Sequence, residues 1–186
     1  MTRPLLVILI AVFAAATPSH ALVERYLIHD APALNALWRS IGGEQWPAND
    51  RKGWPLPEGW QTGSAWNTNP SVFLVDSVSW PGDTLYRHLF TRGLSLYNSD
   101  SMIVGRLPNS LALPKLYSLS IRVGKRVTGS FPDLSGCPLL QTMYIAGPGL
   151  TGPIPALRFK DLTTLRIEET GFSGGVPSLN GCPKLQ

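Results

Sequence analysis

The chain is poor in the residues that make metal sites, disulfide frameworks and most catalytic centres. It has two cysteines and three histidines in 186 residues. So few cysteines allow one disulfide at most, not the dense framework of a small stapled domain. The patterns H-E-x-x-H and C-x-x-C are absent, and no glycine loop leads into Lys-Ser/Thr. These absences point away from an enzyme and leave no cofactor or metal set to assign. The net charge of +4 is scattered, with no basic run interleaved with aromatics, so nucleic acid is not an expected partner. No apolar run approaches the roughly 18 residues of a membrane span. Any membrane or lipid anchor would have to lie beyond residue 186.

What apolar run there is sits at the start. Leu5 to Ala16 is unbroken, follows a basic Arg3, and is trailed by Ser19 and Ala21. That is the layout of a signal peptide, 1–21, with cleavage before Leu22 and an exported product. All six tryptophans then fall between Trp38 and Trp80, marking 22–88 as a region unlike the rest. It opens on a predicted helix with Asp30 as N-cap, Pro32 in the first turn, and Leu34, Leu37, Trp38 and Ile41 on one face. Gly42-Gly43 stops it. The Trp-rich stretch that follows reads as a loop-rich wrap whose rings fill a small core, with a sugar-stacking platform as the alternative.

Glycine and proline are abundant, at 18 and 17, and in the second half they keep time. G-x-x-P recurs at Gly105/Pro108, Gly129/Pro132, Gly152/Pro155 and Gly174/Pro177, with prolines 24, 23 and 22 residues apart. An alternating apolar pair precedes each: Leu94/Leu96, Leu119/Ile121, Met143/Ile145, Leu165/Ile167. Leu116, Leu140 and Leu162 complete L-x-x-L-x-L in the last three. A second pair follows each proline: Leu111/Leu113, Leu134/Cys137, Leu157/Phe159, Leu179/Cys182. Each unit therefore predicts a short strand, a Gly-Pro corner such as GLTGPIP at 149–155, and a far side that closes the coil. One such coil cannot bury its own apolar edge, so neighbours must stack. Cys137 and Cys182 occupy equivalent slots two coils apart, about 10 Å, and are expected to be free thiols.

The phrases QTMYIAGPGLTGPIPAL and TTLRIEETGFSGGVPSL resemble the plant-type leucine-rich repeat, L-x-x-L-x-L followed by L-x-G-x-I-P. ALNALWRSIGG and the Trp-rich stretch resemble the cap that precedes such arrays. The resemblance implies an α/β repeat solenoid: a horseshoe with a parallel sheet on its concave face behind a small helical and loop cap. It would have about four repeats over 89–186, stopping mid-array. Three departures stand out: Gly124, Pro148 and Thr170 replace the usual asparagine, the first two repeats are slightly longer, and the cap lacks a cysteine pair. Such arrays are extracellular recognition surfaces. The expectation is therefore a secreted or cell-surface module that binds a protein, peptide or glycan. The alternative is the truncated ectodomain of a leucine-rich-repeat receptor kinase, with membrane helix and kinase beyond residue 186. Strand alternation places Tyr97, Arg122, Tyr144, Arg166 and Glu168 outward, with Tyr117 one step earlier, as the ligand-binding candidates. Ser95, Ser120 and Ala146 share those outward positions. Glu168-Glu169 reads as a solvated acid pair rather than a glycosidase dyad.

Overall fold

A computed structural model describes residues 23–48, 53–59, 61–62, 72–79, 84–98 and 104–186. The expected signal peptide and Trp60, Trp66 and Trp80 lie outside the described residues. The chain runs β1 (Val23–Ile28), α1 (Ala31–Ser40), β2 (Gln61–Thr62), β3 (Val72–Ser79), β4 (Thr84–Asn98) and β5 (Gly105–Arg106). It continues through β6 (Ser118–Val123), β7 (Val127–Thr128), β8 (Thr142–Pro153) and β9 (Thr164–Ser173). The main sheet has the order β2-β1-β4-β6-β8-β9, and β3 pairs antiparallel with β4.

From β4 to β9 the strands are parallel and match the repeat alignment residue for residue. Leu94, Leu119, Met143 and Leu165 form one row; Leu96, Ile121, Ile145 and Ile167 form the next. The protein is thus a solenoid of stacked coils, about three turns of it. On the far side, turns close in the same way each time. Leu116 N donates to Leu113 O (3.0 Å), Leu140 N to Cys137 O (3.2 Å), Leu162 N to Phe159 O (3.2 Å) and Leu185 N to Cys182 O (3.1 Å). The described coils contain no helix, so the α-helical part of the fold is confined to the cap.

The core is continuous from cap to array. Leu34 and Leu37 of α1, and Ile41 just after it, are buried with Leu94, Leu96, Leu119, Ile121, Met143 and Ile145 in one cluster. Trp38 and Trp54 stack at 5.8 Å with planes 5° apart, and both are buried, as is Trp46. These three rings fill core. The outermost strand is different: Leu165, Ile167 and Phe172 are only partly buried, because among the described strands β9 pairs with β8 alone.

Several expectations need correction. Asp30 precedes α1, but its side chain makes no cap bond; the carboxylate instead accepts the Thr91 amide of β4 at 2.7 Å. That bond fastens the start of the helix to the sheet. The expected boundary between residues 88 and 89 falls inside β4, whose first half pairs with β1 and whose end pairs with β6. Cap and array therefore share a strand. GLTGPIP is not simply a corner. The turn lies at Gly147–Gly149, and Thr151, Gly152 and Pro153 pair in parallel with Gly171, Phe172 and Ser173. β5 and β7 pair similarly one and two coils earlier. Pro153 is tolerated because it ends this short segment, where its missing N–H ends the ladder. Gly152 sits at φ 89°, a region that L side chains avoid, which explains why the repeat spells glycine there.

Both cysteines are free and buried, in matching slots. Cys137 Sγ donates to Leu111 O at 3.3 Å, and burial pushes its thiol pKa up.

Candidate functional site

The outward side chains of the four parallel strands form three rows across the sheet. The first holds Gly93, Ser118, Thr142 and Thr164; the second Ser95, Ser120, Tyr144 and Arg166; the third Tyr97, Arg122, Ala146 and Glu168. Strand pairing at about 4.8 Å makes each row roughly 14 Å long. The pleat that sends the leucine rows inward sends these rows out, so the repeat itself builds the face. Ala146 departs from expectation: it is 4% exposed, its single methyl lying low between the long side chains of Arg122 and Glu168.

Five of the six candidate residues join into one chain of contacts. The Arg122 guanidinium lies 5.5 Å from the Tyr97 ring centre and 5.3 Å from that of Tyr144. Arg166 approaches the Tyr144 ring at 5.1 Å and binds Glu168 through Nε–Oε2 at 2.7 Å. The Tyr144 hydroxyl donates to the other Glu168 oxygen. Guanidinium over a tyrosine face is a favourable placement, and neighbouring strands supply the spacing. Tyr117 stands apart from this chain and pairs with Arg92, 4.6 Å over its ring. Arg92 was not among the sequence candidates. The repeat reads from Leu94, so the residue two positions earlier carried no signal beyond its charge.

Glu168 is not the freely solvated acid expected. The Tyr144 hydroxyl, and then the Arg166 guanidinium, hold its carboxyl below the usual range. The same carboxylate pushes the Tyr144 phenol up, aided by partial burial and opposed by Arg122. Its neighbour Glu169 is exposed and has φ 52°, at a register shift where Ala146 pairs with Glu168 but Gly147 with Thr170.

No known protein family, curated protein or solved structure matches this chain. The site must therefore be judged on its own geometry. Among the described residues no helix is long and apolar enough to cross a membrane. Two other features lie off the strand face. His29 Nε2 and His88 Nδ1 are 3.0 Å apart, and the His29 ring stacks on Phe90 at 4.5 Å. A groove of about 390 Å³ opens between the turns after the second and third repeat prolines, with Phe131, Asp133, Arg158 and Phe159 among its walls. Neither contains any of the six ligand-binding candidates. The strand face is the candidate site because it concentrates large, directed side chains on a rigid sheet.

Proposed function

We propose that this protein is an exported recognition module of the leucine-rich-repeat type, secreted or held at the cell surface. It binds a protein, peptide or glycan through the concave side of its parallel sheet. The observation that carries this reading is the contact chain Tyr97–Arg122–Tyr144–Arg166–Glu168 across four strands. Tyrosine and arginine combine large contact area with directed hydrogen bonds and dominate interface energetics. Here their rotamers are already restrained by each other, which lowers the entropy lost on binding. The N-terminal apolar run followed by small residues supports export.

The test is a panel of extracellular proteins, peptides and glycans screened against immobilised protein, followed by two triple variants. Tyr97→Ala/Tyr144→Ala/Arg166→Ala should weaken binding of whatever the panel yields by about 2 kcal/mol or more, close to thirtyfold. Arg158→Ala/Lys160→Ala/Lys184→Ala, on the far side, should leave it unchanged. Loss confined to the far-side variant sinks the reading.

A further inference from the structure

The strand face ends in a column of stacked corners, and their charges are not alike. After β6 the corner carries Lys125 and Arg126, both exposed, one turn beyond exposed Arg122. The backbone folds tightly there, Val127 N donating to Gly124 O at 3.1 Å. Within β9, beside Ala146 and Gly147, stand Glu168, already held by Tyr144 and Arg166, and exposed Glu169 at the register shift. Between them lies the corner of β8, Gly147-Pro148-Gly149, with no charge and no side chain beyond the Pro148 ring. Both glycines are forced: a Cβ on Gly147 would meet Val123 Cγ2 at 2.6 Å, and one on Gly149 would meet Val127 O at 2.4 Å. Close stacking of the coils thus strips the middle corner bare and leaves a saddle between a basic ridge and an acidic one.

We propose that this saddle seats an extended peptide segment of a protein partner that carries an acidic residue and, about three positions away, a basic one. The proposal rests on the binding reading above and names its ligand class. Three arguments select a peptide. The two ridges are two strand spacings apart, about 10 Å, which an extended chain covers in three residues. A backbone can lie close against a glycine corner that has no side chains to hold it off. The ridges differ in sign, so a uniform polyanion such as a sulfated glycan gains at Arg122, Lys125 and Arg126 but is repelled at Glu169. Sugar stacking is also poorly served, because Arg122 and Arg166 already lie over the Tyr144 ring. Within the site the acidic side chain meets the three cations, where the Arg122 fork offers two parallel donors to a carboxylate. The basic side chain meets Glu169.

A random dodecapeptide library displayed on phage and panned against the purified protein tests this. Enriched sequences should pair Asp or Glu with Lys or Arg three positions apart. A synthetic peptide of that pattern should bind at least tenfold more weakly to Lys125→Ala/Arg126→Ala and to Glu169→Lys than to the wild type. Glu169→Lys should in turn favour a peptide acidic at both positions. Enrichment of uniformly acidic sequences, no enrichment, or tighter binding by a sulfated oligosaccharide overturns the proposal. If a ligand depends on Tyr97, Tyr144 and Arg166 but is indifferent to Lys125, Arg126 and Glu169, the binding reading survives and this one fails. Indifference to both sets removes both.

Discussion

Single residues carry two kinds of constraint here, steric and electrostatic. Gly105 is the first glycine of the repeat pattern, yet unlike Gly152 it has no positive φ to excuse it. Its reason is proximity: a Cβ there would lie 2.5 Å from the Ile41 carbonyl carbon, where the cap helix ends against the first coil. Gly105→Ala should therefore destabilise by about 2 kcal/mol or more, since backbone atoms cannot yield as a side chain can. Gly175→Ala, with nothing within 4 Å, should change stability by about 0.5 kcal/mol or less in the same denaturant melts. The electrostatic case is Glu168. Its folded-state pKa is lowered from 4.5, so its contribution to stability is present above that value and is lost as pH falls through the lowered pKa. The Tyr144 phenol is raised from 10.0, so its contribution holds below that value and is lost as pH climbs through the raised pKa. Glu168→Gln should remove the acid-side loss and lower the Tyr144 pKa seen by tyrosinate absorbance. The stability change will be small because solvent screens the pair. An unaltered tyrosinate titration in the variant would mean that the hydrogen bond does not form.

At the scale of strands, position in the stack decides what a core residue is worth. Ile145 is fully buried between β6 and β9, whereas Leu165 and Ile167 on β9 are partly exposed. Ile145→Ala should cost about 2 to 5 kcal/mol, and Leu165→Ala should cost clearly less, because its side chain is only partly removed from water. Outward Thr164→Ala should be nearly neutral. Equal losses for Ile145 and Thr164 would show inward and outward faces misassigned. The same contrast explains what was legible in the sequence. The apolar pairs repeat at a fixed interval, so period alone located β4, β6, β8 and β9 and the face they present. β1 and β3 have no such repeat pattern, and it is their pairing with distant segments, chiefly Thr84–Leu94, that makes them strands. Asp30 was readable as a helix start, but not as the acceptor of a β4 amide sixty-one residues away, since local chemistry satisfies either role. Asn35 was invisible altogether. Its amide bonds both ways with Leu56, at 2.9 and 2.7 Å, and pins the Trp54 loop to the helix. A buried polar contact between distant segments leaves no periodic trace.

For the molecule as a whole, stacking means that each coil is held chiefly by its neighbours, and stability falls toward a poorly covered coil. Cys137 and Cys182 report on this, because they fill the same slot in different coils and both are buried thiols. Cys137 lies in the second coil, whose strand β6 is flanked by β4 and β8. Cys182 lies in the coil of β9, where Leu179 and Leu185 are only partly buried around it. Local opening should therefore expose Cys182 first. With a thiol reagent in native buffer, Cys182 should react at least tenfold faster than Cys137, and in denaturant the two should react alike. A digest made without reduction should contain no peptide linking them, since two strand spacings, about 10 Å, exceed the Cα separation that a disulfide spans. Equal native rates would mean that the coils open together as one cooperative block. A linked peptide would mean that the coils are not stacked in this register, and the strand face built on that register would go with it.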